Sequence, residues 1–172
     1  MKQIGKTYTL LIMIILAIDP GFDRVGVAIL EKNIGGKETL LFSTCIITDK
    51  KQTFPNRLKE IGDALGGIIT AYKPESIAIE KLFFAKNTTT ALGVAEARGV
   101  ISYEAAKHGL TFYEYAPNQI KLAVTGYGSA TKENVHTMTT KLINTDNKKM
   151  LDDEVDAIAI GLTCFACERF NH

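Results

Sequence analysis

The chain has 172 residues, 46% hydrophobic and 23% charged, with a net charge of +1. These proportions describe an ordinary soluble globular domain that can bury roughly 70% of its unfolded surface without covalent staples. Three cysteines argue against a disulfide framework and fit a reducing cytosol. The near-neutral balance does not announce a nucleic-acid binder, although acids clustered at one site can mask basic residues elsewhere.

Lys2 and Lys6 precede an apolar run over 8–18 that imitates the start of a secretory signal. No small-x-small cleavage site follows, and the run is too short to span a bilayer. Residues 1–12 therefore read as an N-terminal extension, with Met13 an alternative start, and the expected location is cytoplasmic with no membrane contact. A single domain is expected over 13–168, followed by a tail at 169–172.

Ile14-Ile15-Leu16-Ala17-Ile18 is a continuous apolar run that ends at Asp19-Pro20-Gly21. That pattern predicts a buried central strand stopped by a turn. Arg24 to Leu30 forms a second strand, a glycine-rich loop follows at 33–37, and Glu38 to Ile47 forms a third, which together make an antiparallel meander. After a polar connection over 49–55, Leu58, Ile61, Leu65, Ile68, Ile69 and Tyr72 mark a helix with one core face. Lys73-Pro74 ends it, and Ser76 to Glu80 is the fourth strand. Residues 88–108 read as a long helix rich in small residues, packed against the sheet or a second subunit. Thr111 to Tyr115 is the fifth strand. Pro117 opens a short helix with Ile120 and Val124 inward. Val135, Met138, Leu142 and Ile143 mark another helix, and a last one starts near Asp152 and buries Val155, Ile158, Ala159 and Leu162. The expected architecture is one α/β domain with a five-stranded mixed sheet, a meander and then αβαβ, flanked by helices.

Asp19 and Glu80 both end apolar strands. An Asp before Pro-Gly commonly does no more than open a turn, but two core strands ending in carboxylates point to a shared acidic site. Asp153 and Asp156 lie three apart at the start of the last helix and share a face. Acids there also favour the positive end of the helix dipole, which covers Asp152, Asp153 and Glu154; Asp156 lies further in, among apolar residues. Four clustered carboxylates are costly without a cation, and their oxygens suit Mg²⁺, with Mn²⁺ as a substitute. Paired ions of this kind support in-line phosphoryl displacement. Lys81-Leu82-Phe83-Phe84-Ala85-Lys86 follows Glu80 directly and offers either a stacking surface for an unpaired base or a loop anchored in the core. The expectation is one exposed and one buried phenylalanine. Lys121 and Lys132 flank the loop over 126–129 and could hold phosphates or be plain solvated lysines. Cys164 and Cys167 form a CxxC on the last helix, where core packing is the expected use. His108 and His136 sit in helix patterns with no partner legible in the sequence.

In order and spacing, these segments resemble the RuvC-type Holliday-junction resolvases of the ribonuclease H-like superfamily. The resembling segments are Ile18-Asp19-Pro20-Gly21, Ala78-Ile79-Glu80-Lys81-Leu82-Phe83-Phe84-Ala85-Lys86-Asn87, Ala97-Arg98-Gly99-Val100, Glu114-Tyr115, 126–132 and Asp153-Glu154-Val155-Asp156-Ala157. The resemblance implies a ribonuclease H-like fold and an Mg²⁺-dependent endodeoxyribonuclease. It implies a catalytic and metal-binding tetrad of Asp19, Glu80, Asp153 and Asp156, with Phe83 probing the junction and Lys121 and Lys132 contacting DNA. It further implies a homodimer that nicks four-way junctions symmetrically during recombination and repair, working with a branch-migration helicase complex. Ala17 departs from the glycine usual there. Residues 22–28 look more like the neighbouring YqgF-type ribosomal-RNA-processing nucleases, which makes that activity the alternative. A non-catalytic junction-binding role comes third, and an actin-like ATPase would need a second domain that this length cannot supply.

Overall fold

Strands that are apolar on both faces need cover on both sides, and the order of elements supplies it. The computed structural model describes residues 12–33, 35–82, 88–145 and 148–168, with 88–90 given by their backbone alone. The strands are β1 (Ile12–Asp19), β2 (Arg24–Asn33), β3 (Glu38–Ile47), β4 (Ser76–Glu80) and β5 (Thr111–Tyr115). The helices are α1 (Phe54–Tyr72), α2 (Thr88–Lys107), α3 (Pro117–Thr125), α4 (Lys132–Leu142) and α5 (Asp152–Cys167). The sheet runs β3-β2-β1-β4-β5. β1, β2 and β3 form the antiparallel meander, while β4 lies parallel to β1 and β5 parallel to β4. The mixed α/β architecture expected from the sequence is the one observed.

The alternation of side chains along each strand divides the core in two. Leu16, Ile18, Ile77 and Ile79 face one way, against Ile61, Leu65 and Ile69 of α1 and Ala97, Ile101 and Ala105 of α2. Ile15, Ala17, Ala78 and Leu30 face the other way, against α3, α4 and above all α5. Ile15, Leu16, Ile18, Ile77 and Ile79 are fully buried, and each such side chain contributes about 1.5–3 kcal/mol. The small residues of α2 serve two contacts. Ala97 and Ala105 join the core of the sheet, and α2 runs so close to α1 that a side chain on Gly62 would meet Val100 Cγ1 at 3.1 Å.

Several boundaries differ from the sequence reading. α1 begins at Phe54, within the stretch read as a connection, because Pro55 occupies its first turn where no backbone N–H is needed. Lys73 ends it in the left-handed conformation, φ 50°, with its N–H on the Ile69 carbonyl at 2.8 Å. β2 runs three residues past Leu30 to Asn33, kept in the ladder by pairing with Ile12 on one side and with the start of β3 on the other. Ile143 caps α4 in an extended conformation yet is buried. Cys164 is buried as expected, whereas Cys167, the last residue of α5, is exposed where the helix runs out past the core. Among the described residues, no helix is long and apolar enough to cross a membrane.

Candidate active site

Asp19 and Glu80 arrive together because of register and parity. β1 and β4 are parallel with Ile18 opposite Ile79, so the next residue of each strand is a carboxylate. Both continue the alternation of Ala17 and Ala78, which places them on the α5 side of the sheet. On the other flank of Asp19 stands Gly26 of β2. Any side chain there would put its Cβ 1.9 Å from the Asp153 carbonyl oxygen. Gly26 thus lets the first turn of α5 lie on the sheet end, carrying Asp153 and Asp156 to Asp19.

The electrostatics record this convergence. Burial, followed by the charges of Asp156, Glu80 and Asp153, pushes the Asp19 carboxyl up to about 7, with Lys132 acting in the opposite sense. Glu80 is raised by burial and then by Asp156, with Lys132 and Lys121 offsetting part of the rise. Glu80, Asp156, Lys121 and Lys132 line one cleft of about 180 Å³ between β4, α3, α4 and α5. The four acids and two lysines singled out in the sequence therefore occupy one region. Phe83 and Phe84 lie outside the described residues.

Among the described residues, two cations pair directly with these acids. Lys132 Nζ donates to Asp156 Oδ2 at 2.8 Å, a contact that also raises the lysine's own pKa. Arg24, at the start of β2, donates to Asp153 Oδ2. Asp153 is 17% exposed beside a 47% exposed Arg24. Among the described residues, no three His, Cys, Asp or Glu side chains are gathered tightly enough to close on one ion as they stand. Asp153 and Asp156 are instead drawn to their basic neighbours. The donor chemistry, four carboxylates and no thiolate or imidazole, still fits a hard divalent cation.

Three features escaped the sequence reading. Arg24 is one. The second is a brace under the turn after Asp19. Arg57 of α1 is buried and donates through Nε to Thr48 Oγ1 at 2.9 Å, and it also pairs with Asp23. Its guanidinium lies 3.8 Å from the Phe22 ring centroid, and Phe22 stacks on Phe54 at 4.6 Å. Thr48 Oγ1 in turn donates to the Phe22 carbonyl at 3.0 Å. Beside this brace, a groove of about 710 Å³ opens along 21–24 and 92–94, next to the acids rather than over them. The third is Glu154. It is buried, accepts from Ser43 Oγ at 2.7 Å and Lys148 Nζ at 2.8 Å, and caps α5 through the Leu151 N–H. Its neighbours in sequence reach the acid cluster, whereas Glu154 ties α5 to β3. On the opposite side of the sheet, Arg98 of α2 pairs with Glu114 of β5, so that resembling pair braces a helix against the sheet edge. His108, just past the end of α2, has its Nδ1 2.9 Å from the Glu104 carbonyl of that helix.

Fold and site together define a ribonuclease H-like α/β protein with a carboxylate cluster at its strand ends. The family model for the crossover junction endodeoxyribonuclease RuvC matches residues 15–164. The RuvC endonuclease of Petrotoga mobilis is 44% identical over 147 residues, covering 86% of this chain and 90% of the relative. That of Alkaliphilus metalliredigens is 45% identical over 150 residues, covering 87% and 91%. The structure of Thermus thermophilus RuvC in complex with a Holliday junction substrate superposes with a TM-score of 0.83 at 28% identity, covering 90% of this chain and 93% of that one. The chain belongs to the RuvC crossover junction endodeoxyribonuclease family. Of the branches weighed from the sequence, the resolvase branch is the one these relatives occupy.

Proposed function

We propose that this chain resolves four-way DNA junctions as a homodimer, nicking two strands symmetrically by Mg²⁺-dependent phosphodiester hydrolysis. The observation that carries the reading is the meeting of Asp19, Glu80, Asp153 and Asp156 at one sheet end, under Lys121 and Lys132. Asp19, Glu80, Asp153 and Asp156 would hold the divalent cation, with Mn²⁺ able to replace Mg²⁺. Bound there, the ion supplies Lewis acidity and lowers the pKa of attacking water. Asp19 and Glu80 sit on strand ends whose side chains are fixed by the core, so they present oxygens with little reorganisation. Near neutral pH the Asp19 carboxyl holds a proton for part of the time, its pKa being about 7. Asp19 would have to give up that proton to serve as a ligand, so that metal affinity would rise with pH. Lys121 and Lys132 bind the phosphates flanking the scissile bond. Phe83, three residues beyond Glu80, stacks on an unpaired base at the crossover. A branch-migration helicase complex is the partner class that would deliver the junction.

The test is incubation of the purified protein and Mg²⁺ with a synthetic four-way junction, beside linear duplex and structured RNA. Paired, symmetric nicks in the junction alone are expected. Cutting of the RNA in preference to the junction would overturn the reading in favour of the RNA-processing branch.

A further inference from the structure

Among the described residues, Arg24 is the one cation at the acid cluster whose role neither the sequence nor the proposed function accounts for. It sits at the first position of β2, two residues before Gly26, where α5 comes down on the sheet. Its guanidinium is held on Asp153 while nearly half of the side chain remains open to solvent. Lys132 stands in the same relation to Asp156, with the lysine 61% exposed and the carboxylate 27%. Asp153 and Asp156 are thus each closed by a long side chain that remains largely open to solvent.

An ammonium or guanidinium can neutralise a carboxylate but cannot bridge several of them as a divalent ion does. Arg24 and Lys132 satisfy Asp153 and Asp156 one at a time and leave Asp19 and Glu80 to repel. A divalent cation competes for the same oxygens with twice the charge. A long side chain displaced from a carboxylate at the mouth of the site is then free to meet the next anion available.

We propose that Arg24 and Lys132 are resident counter-ions of the acidic site, which leave Asp153 and Asp156 when a divalent cation binds and close on the phosphates of the DNA strand. This rests on the metal-dependent reading above. It gives metal and DNA a positive coupling through the protein's own side chains: the metal frees the cations, and the DNA keeps them from returning to compete. The two ligands must then favour one another reciprocally. Arg24 becomes a positioning and coupling residue that opposes metal binding in the free protein and supports DNA binding in the loaded one.

The test is Arg24→Gln, which removes the charge at an exposed position and keeps a polar side chain. Two ligands are titrated: Mn²⁺ into the DNA-free protein by calorimetry, and a synthetic four-way junction in saturating Ca²⁺ by fluorescence anisotropy. Loss of a competing positive charge should tighten Mn²⁺ binding roughly three- to tenfold. Loss of a phosphate contact should weaken junction binding and lower its salt slope by about one. Arg24→Lys should restore both. A purely structural role for Arg24 would weaken both ligands together, and that result, or unchanged Mn²⁺ affinity, or an unchanged salt slope, overturns the proposal. Wild-type protein that binds no Mn²⁺, or that binds it no better than Asp19→Asn, would instead overturn the metal-dependent reading itself. Wild-type binding with an indifferent Arg24→Gln overturns only the counter-ion proposal.

Discussion

Asp19→Asn should make the cation-free protein more stable at alkaline pH. The carboxyl ionises at 3.8 in the unfolded chain and at about 7 in the folded one, because burial and the charges of Asp156, Glu80 and Asp153 oppose its ionisation. Below pH 3.8 it is neutral in both states and costs nothing. As pH rises from there the unfolded chain ionises first, and folded stability falls until the folded carboxyl has also ionised, near pH 7. With each pKa unit equal to about 1.4 kcal/mol, the full penalty is about 4 kcal/mol. The asparagine keeps the shape without the charge, although its amide must find partners among carboxylates. A gain of about 2–4 kcal/mol at pH 8 is therefore expected, equivalent to about 4–16 °C for a domain of this size. The assay is urea denaturation in EDTA from pH 4 to pH 9. Wild type and variant should converge near pH 4 and separate steadily up to pH 7. An asparagine variant no more stable at pH 8, or one whose advantage persists unchanged at pH 4, would refute the reasoning.

The other predictions concern how the site is held and what it meets. Arg57→Ala strips donors from Thr48 and Asp23 and the cation from Phe22; it should cost about 2–4 kcal/mol in chemical denaturation, with Arg57→Lys recovering less than half. Gly26→Ala drives a methyl into the Asp153 backbone and should cost about 2–3 kcal/mol while lowering Mn²⁺ affinity by calorimetry. Lys121→Gln and Lys132→Gln should each weaken junction binding and reduce its salt slope by about one. An unchanged slope in both would return them to the solvated surface.

The core was legible because it is written in contiguous runs. Isoleucine-rich strands ending in Asp19 and Glu80 need no long-range information to be recognised, but it is the pairing of Ile18 with Ile79 that puts those two acids side by side on one face. The departure at Ala17 becomes intelligible only across the interface. The facing residue on α5 is Gly161, where an added Cβ would lie 3.2 Å from the Ala17 methyl and 2.5 Å from Leu30 Cδ1. The methyl of Ala17 is accommodated because the residue that faces it has no side chain. Arg24 and Asp153 are 129 residues apart, and no local pattern distinguishes that arginine from a solvated one. Arg57 lies four residues before Ile61 and eight before Leu65, on the core-facing stripe of α1, but no local pattern shows that its partners are Phe22 and Thr48. Asp152, Asp153 and Glu154 form one acidic run in the sequence. The helical turn separates them into an exposed residue, a carboxylate of the acid cluster and a buried strut to Ser43 and Lys148.

The most direct test of the carboxylate site is a single-turnover comparison of wild type, Asp19→Asn and Glu80→Gln on a four-way junction in Mg²⁺, with junction binding measured in parallel. Wild type should produce paired nicks. Both variants should bind the junction at least as tightly, since a negative charge facing phosphate has been removed, and should cut it at least a thousandfold more slowly (~4 kcal/mol of lost transition-state stabilisation). Cleavage by either variant at the wild-type rate, with binding intact, would contradict the assignment.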